Sequence, residues 1–253
     1  MESITSLKNP KVVLWRSLKD RKSRKESGLF LVEGRRMTEE ALHSGFPVHA
    51  FLLQEGAAPL PALPESIPCY ILPEHVMAAV CDTKTPQGYA AVLAIQEWPL
   101  KGPRILALDD VQDPGNVGTM LRTADCAGFS GLLLSPLCAD VYGPKALRSS
   151  MGSIFRMPVE VTPDLPCRLK RLRQEGYCII ASMLDGEPFY QHPPTAESFV
   201  LIIGNEGKGI SPAAAACADL RLKLPMRGGA ESLNAAVAAG IMMYELTRAL
   251  PTA

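Results

Sequence analysis

From Ile105 onward, short apolar runs alternate with segments of helical character, and three of the runs break into loops carrying glycine or proline. The expected strands are Ile105–Leu108, Gly131–Leu134, Met157–Val161, Tyr177–Ala181, Phe199–Ile203 and Asp219–Leu224. The expected helices are Val117–Ala127, Lys145–Met151, Leu165–Gln174, Pro212–Ala218 and Ala235–Thr247. Near-continuous apolar strands alternating with helices predict a mostly parallel sheet covered on both faces. In such sheets ligands bind beyond the carboxyl ends of the strands. The loops Asp109–Gly118, Gly204–Gly209 and Pro225–Asn234 would therefore make one site if they converge.

The last loop is the most constrained. Pro225 lacks an N–H and ends regular pairing, while Gly228 and Gly229 allow positive φ or close backbone approach. Ser232 and Asn234 stand where a helix starts, and either can cap it. The Gly204-Asn-Glu-Gly-Lys-Gly209 stretch is not a nucleotide loop. Two residues rather than four precede its Gly-Lys, no Ser or Thr follows, and Pro212 stands where the dinucleotide pattern needs glycine. What remains is a turn with one acid, Glu206, suited to complementing the next helix N-terminus or to facing a cationic ligand or ribose hydroxyl. Asn116 follows the turn signal Asp113-Pro114-Gly115 and is expected to cap its helix. Arg122, among Met120, Leu121 and Ala124, reads as a core-edge cation or a phosphate fork. Lys145–Pro158 offers Arg148, Arg156 and serines for phosphate contacts.

The N-terminal part alternates as well. Strands are expected at Leu29–Val32, Val48–Leu53, Cys69–Leu72 and Tyr89–Ile95, helices at Met37–His43 and Glu74–Val80, and a proline-rich surface loop at Gly56–Pro68. A small α/β domain follows. The linker candidate, Gln96–Arg104, carries Trp98-Pro99 and Gly102-Pro103, which gives domains of 1–98 and 104–253. The formal net charge is zero, so affinity for a polyanion needs a local patch. Lys8–Lys25 supplies one, with eight Lys or Arg residues against Asp20, and Val12, Val13, Trp15 and Leu18 interleaved as the docking face of a helix. The seven cysteines form no CxxC pair, which points away from a zinc site or disulfide framework and toward a reducing compartment. No apolar run reaches membrane-spanning length. A cytoplasmic protein with no metal and no membrane partner is expected.

Taken jointly and in order, Asn116-x-Gly118-x-x-x-Arg122-Thr-Ala, Gly204-Asn-Glu206-Gly-x-Gly209 and Pro225-Met-x-Gly228-x-x-Glu231-Ser232-Leu233-Asn234 resemble the motif set of the SpoU-TrmH family of RNA ribose 2′-O-methyltransferases, of the SPOUT class. The likeness covers about residues 104–250. Ile4-Thr5-Ser6, Asn9-Pro10, Lys22-x-Arg24 and Phe30-x-Val32-Glu33-Gly34 are similar to the L30-like substrate-binding domain that many members carry. The resemblance implies a trefoil-knotted C-terminal α/β domain, S-adenosylmethionine as cofactor, and a homodimer. It implies Ile203, Gly204, Gly209, Leu224, Met226, Ser232 and Leu233 around the cofactor, with Asn116, Arg122, Glu206, Ser232 and Asn234 as the catalytic set. Lys8, Lys11, Arg16, Lys22, Arg24, Lys25, Arg122 and Arg148 are the residues expected to meet RNA, ribosomal RNA being favoured over transfer RNA. The alternatives are an RNA-binding or ribosome-assembly protein that keeps the fold without turnover, and a methyltransferase acting on a base.

Overall fold

The computed structural model describes residues 1–60, 63–192 and 196–248, so residues 61 and 62 of the expected 56–68 loop, and the last five residues of the expected second domain, lie outside it. The chain forms two compact units, one of residues 1–96 with 140–155 and one of 97–139 with 156–253.

The first unit holds strand β1 (Glu2–Ser3), helices α1 (Pro10–Ser17) and α2 (Arg21–Ser27), strand β2 (Leu29–Glu33), helix α3 (Arg35–His43), strands β3 (Val48–Gln54) and β4 (Cys69–Leu72), helix α4 (Glu74–Val80) and strand β5 (Tyr89–Ala94). Its sheet runs β1-β4-β3-β5-β2, with β5 antiparallel to both neighbours and the other pairs parallel. The basic run makes two short helices instead of one. Asn9 caps α1 by accepting from the Lys11 N–H, with Pro10 in the first turn, and extended Asp20 separates α1 from α2. Val12, Trp15 and Leu18 join the core beside Leu52, Leu72 and Val76, whereas Val13 is 53% exposed and lies off the expected docking face.

The second unit starts with strand β6 (Arg104–Asp109), helix α5 (Pro114–Cys126) and strand β7 (Gly131–Leu134). Residues 140–155, including helix α6 (Pro144–Ser150), pack with the first unit. Strand β8 (Val159–Val161), helix α7 (Leu165–Gln174), strands β9 (Cys178–Pro188) and β10 (Phe199–Gly204), helix α8 (Pro212–Ala215), strand β11 (Leu220–Lys223) and helix α9 (Ala235–Thr247) complete the second unit. Every pairing in its sheet, ordered β11-β9-β10-β6-β7-β8, is parallel, as the apolar strand runs predict. Strand β9 is longer than expected because its register against β11 jumps from Ala181↔Arg221 to Glu187↔Leu222, which loops five residues out of the ladder.

The central pair β10–β6 ends with Gly204 opposite Asp109, so the loops after both strands start side by side. Fully buried Ile105, Ala107, Val200 and Ile202 pack under Leu165, Leu169 and Leu172 of α7 and anchor this pair from one face. Among the described residues, no helix is long and apolar enough to cross a membrane.

Candidate functional site

Helix α5 is capped by Asp113, whose carboxylate accepts from the Asn116 N–H at 2.9 Å. Asn116 is therefore not the cap that the turn signal suggests. It occupies the first helical turn, and its side chain is free for other partners. Its Nδ2 donates to Glu206 Oε1 at 2.9 Å, and its Oδ1 accepts from Asn234 Nδ2 at 3.1 Å. Asn234 is the cap of α9, its Oδ1 accepting from the N–H groups of Ala236 and Val237 at 2.9 and 3.3 Å. One hydrogen-bonded chain, Asn234–Asn116–Glu206, thus joins the loops after β6, β10 and β11. Each of the three motifs contributes one member.

Glu206 also accepts from the N–H groups of Gln112 and Asp113, each at 3.3 Å. It therefore serves the start of α5 and not the next helix in sequence. Partial burial on its own would push the Glu206 carboxyl up. The Asn116 amide and the backbone N–H groups outweigh burial and hold it below the ordinary carboxylate range. Glu206 remains ionised and exposed, an acceptor facing solvent.

Gly204 turns sharply here. A Cβ on it would collide with the backbone of Gly209 and Ile210, because Asn205 and Gly209 exchange two backbone hydrogen bonds of 3.0 and 2.9 Å. Gly209 closes that turn at φ +70°, a conformation open to glycine without cost. The loop after β11 has a different character. None of the backbone groups of residues 226–233 hydrogen-bonds another described residue. Ile203 and Leu224 are buried, Met226 is half-buried and Leu233 is 40% exposed. Free amide donors and acceptors beside apolar side chains match an adenine ring, which presents polar edges and an apolar face. The expected cofactor residues fit S-adenosylmethionine on this ground.

Arg122 is exposed on α5, one and two-thirds turns beyond Asn116, and makes no hydrogen bond or ion pair with a described residue. Ser232 is exposed and likewise makes none. In the first unit the expected RNA-binding residues divide. Lys8, Arg16, Lys22 and Lys25 are exposed, Lys22 lying 3.8 Å from Glu26. Lys11 Nζ sits 4.2 Å over the Tyr70 ring and 3.0 Å from Glu2. Arg148 reaches Glu33 at 3.0 Å and Asp82 at 2.9 Å while staying 41% exposed. Arg24 departs from the expectation. It is 4% exposed, its guanidinium binds Asp140 at 2.7 Å, and it also donates to the carbonyls of Leu18 and Lys19. No donor face is left for a phosphate, so Arg24 is a buried strut.

Sequence reasoning missed Asp113 and Asn205. Asn205 Oδ1 accepts from the N–H groups of Gly207 and Lys208 at 2.9 and 3.0 Å and shapes the turn that presents Glu206. The signals were the Asp-Pro-Gly start of α5, a cap followed by proline at the first helical position, and an Asx residue directly before the acid.

A model of the SpoU rRNA methylase family matches residues 103–244, and a model of an MRM3-like substrate binding domain matches residues 9–91. The chain is 43% identical over 247 residues to the 23S rRNA (guanosine(2553)-2′-O)-methyltransferase RlmP of Bacillus subtilis, covering 97% of this chain and 99% of that one. Among solved structures it is similar to the AdoMet-bound rRNA methyltransferase of Sinorhizobium meliloti, with 29% identity, a TM-score of 0.88 and 99% of each chain covered. It is also similar to the SpoU methyltransferase AviRb of Streptomyces viridochromogenes in complex with AdoMet, with 28% identity, a TM-score of 0.85 and 95% and 98% coverage.

Proposed function

Since the chain belongs to the SpoU rRNA methylase family, we propose that it methylates the 2′-hydroxyl of a guanosine in 23S rRNA, the substrate named for its Bacillus subtilis relative. The chain is an S-adenosylmethionine-dependent RNA ribose 2′-O-methyltransferase with an N-terminal substrate-binding domain. The observation that carries the residue assignment is the Asn234–Asn116–Glu206 chain, which links the three motif loops at one point.

S-adenosylmethionine supplies an electrophilic methyl group; the protein must align the ribose oxygen with it and remove a proton. Ile203, Gly204, Gly209, Leu224, Met226, Ser232 and Leu233 hold the cofactor, mainly through backbone groups of the loop after β11. Arg122, exposed and without a partner among the described residues, holds the phosphate beside the target ribose. A guanidinium keeps its proton in proteins, so Arg122 is a fork and not the base. Ser232, Asn234 and Asn116 orient the hydroxyl, and its proton, relayed by Ser232, passes to the ionised Glu206 carboxylate as the methyl group is transferred. Alignment of this kind supplies several kcal/mol of the barrier reduction, on the order of 7–11 in well-oriented model systems.

The RNA is gripped by residues 1–98 through Lys8, Lys11, Arg16, Lys22 and Lys25, with Arg148 adding a contact once a phosphate competes with its acids. The span 104–253 carries the catalytic domain, with residues 140–155 packed instead in the first unit, and with the trefoil knot that the family resemblance implies. The working unit is a homodimer in the cytoplasm. Supporting this, Leu233, Val237, Ile241 and Tyr244 are 40%, 51%, 37% and 55% exposed at helical spacing, opposite the face of α9 that buries Ala236, Ala239, Met243 and Leu246.

The test is mass-spectrometric mapping of ribose methylation in rRNA from cells with and without the gene. One 2′-O-methylguanosine in 23S rRNA should disappear and return with the wild-type chain but not with Asn234→Ala. An unchanged map would remove the substrate assignment.

A further inference from the structure

The turn that carries Glu206 has little apolar anchorage of its own, since Asn205 is half-buried and residues 206–209 are exposed. Its position is set by hydrogen bonds, and the acceptors come from two consecutive aspartates at the end of β6. Asp109, 5% exposed, accepts from the Ser211 N–H at 2.7 Å, just past the turn. The Asp110 carbonyl accepts from Asn205 Nδ2 at 2.8 Å, just before it. Asn205 then closes the turn through Gly207, Lys208 and Gly209.

The chain reverses into this arrangement at Asp110, whose φ is +57°. That left-handed conformation costs a residue with a Cβ about 1 kcal/mol, so something must hold it. Ser135, 3% exposed and just past β7, does so from both sides. Its Oγ accepts from the Asp110 N–H at 2.8 Å and lies 2.5 Å from Asp110 Oδ1, to which it donates. Ser135 is itself fixed by its N–H on the Leu108 carbonyl at 3.0 Å. Three strand ends are thereby coupled, through β7 (Ser135), β6 (Asp110) and β10 (Asn205).

We propose that Ser135 and Asp110 are positioning residues for methyl transfer: together they fix Asn205, and through it place the Glu206 carboxylate against Asn116. None of the described contacts of Ser135 or Asp110 reaches a member of the catalytic set directly. The inference rests on the reading of Glu206 as a catalytic group. Breaking the lock leaves the carboxylate in place chemically but lets its turn drift, and misplacement by about 1 Å costs on the order of a hundredfold in rate where alignment supplies the catalysis.

The experiment uses the full chain, saturating S-adenosylmethionine and an unmodified 23S rRNA transcript. Ser135→Ala removes both clamp bonds, and Asn205→Asp keeps the acceptor while opposing an oxygen to the Asp110 carbonyl. Each should lower kcat roughly tenfold or more with KM for RNA within about threefold, as expected for lost alignment rather than lost binding. Asp110→Ala should behave like Ser135→Ala. Asp110→Asn, which tolerates the left-handed region and keeps the acceptor, should recover most of the kcat.

A second readout separates positioning from packing. The Glu206 carboxyl, labelled with ¹³C and assigned through Glu206→Gln, should titrate higher in Ser135→Ala and Asn205→Asp than in the wild type as it loses the N–H groups that stabilise its charge. Wild-type kcat in Ser135→Ala, or kcat falling only in step with Tm while the Glu206 titration stays put, overturns the lock. If Glu206→Gln itself turns over like the wild type, the catalytic reading falls, and the titration still decides whether the lock exists.

Discussion

Asn116→Asp is the substitution that isolates the central contact of the site. Asparagine and aspartate are nearly isosteric, and the new carboxylate can still accept from Asn234 Nδ2, as Asn116 Oδ1 does at 3.1 Å. What changes is the 2.9 Å donation to Glu206 Oε1, which becomes a meeting of two carboxylates. A hydrogen bond to a charged acceptor contributes about 1.5–3 kcal/mol in partly buried settings, and exposure of Glu206 cuts that to the lower end. Repulsion at this separation in a water-like dielectric adds about 1 kcal/mol. If the contact is held in the transition state, a loss of about 2–2.5 kcal/mol appears as a roughly 30–70-fold fall in kcat. The Glu206 carboxyl should titrate higher than in the wild type, because its largest stabilising partner is gone and a like charge has arrived. The assay is single-turnover methyl transfer to 23S rRNA from tritiated S-adenosylmethionine, paired with ¹³C titration. Wild-type kcat together with an unmoved Glu206 titration would refute the claim that this chain of side chains is the working site.

Arg122→Lys should lower kcat/KM for RNA by about a hundredfold at a bidentate phosphate site, yet shift stability by less than about 0.5 kcal/mol, since Arg122 has no partner in the described protein. Full turnover with unchanged RNA affinity would remove it from the phosphate role. Arg24→Ala should cost about 3 kcal/mol, read as a fall in the denaturant midpoint, because it takes the cation from half-buried Asp140 and the donors from the Leu18 and Lys19 carbonyls. Arg16→Ala should instead leave stability alone and reduce the salt slope of RNA binding by about one phosphate. For Glu206, the folded carboxyl lies below its unfolded value, so its contribution is complete above the unfolded value and is lost as pH falls through the folded one. The stability gap between wild type and Glu206→Gln should therefore shrink toward acid pH, as followed by urea denaturation. Tyr244→Glu, three turns from Asn234, should give a monomer by light scattering and weaken S-adenosylmethionine binding; an intact dimer would remove the α9 face as the interface.

The fold was legible where the signal was a period. Cys69–Leu72, Glu74–Val80, Gly131–Leu134, Leu165–Gln174 and Ala235–Thr247 occur at the bounds that their apolar spacing predicts. It was illegible where the determinant lies in another segment. Nothing local to Arg24 shows that Asp140, more than a hundred residues away, buries it. The length of β9 comes from a register jump against β11, which has no periodic signature. At the site, the residue types were readable and their assignments were not. Asp113 and Asn116 both suit an N-cap, and the φ of −79° and ψ of 116° at Asp113, with its carboxylate accepting from the Asn116 N–H, show which one is the cap. That choice matters, because the capping residue has its side chain spent on the helix.

The same distinction explains how plain residues would form the reactive site proposed above. Asn234 spends Oδ1 on capping α9 and keeps Nδ2, whereas Asn116, relieved of capping by Asp113, keeps both ends of its amide. An amide with both ends available can accept from one side chain and donate to another, which a carboxylate or an ammonium cannot do in its ionised form. Asn116 is therefore the one member able to join a capping amide to an ionised acid in a directed chain. The aspartate at the N-cap is what makes the asparagine three residues later a site residue.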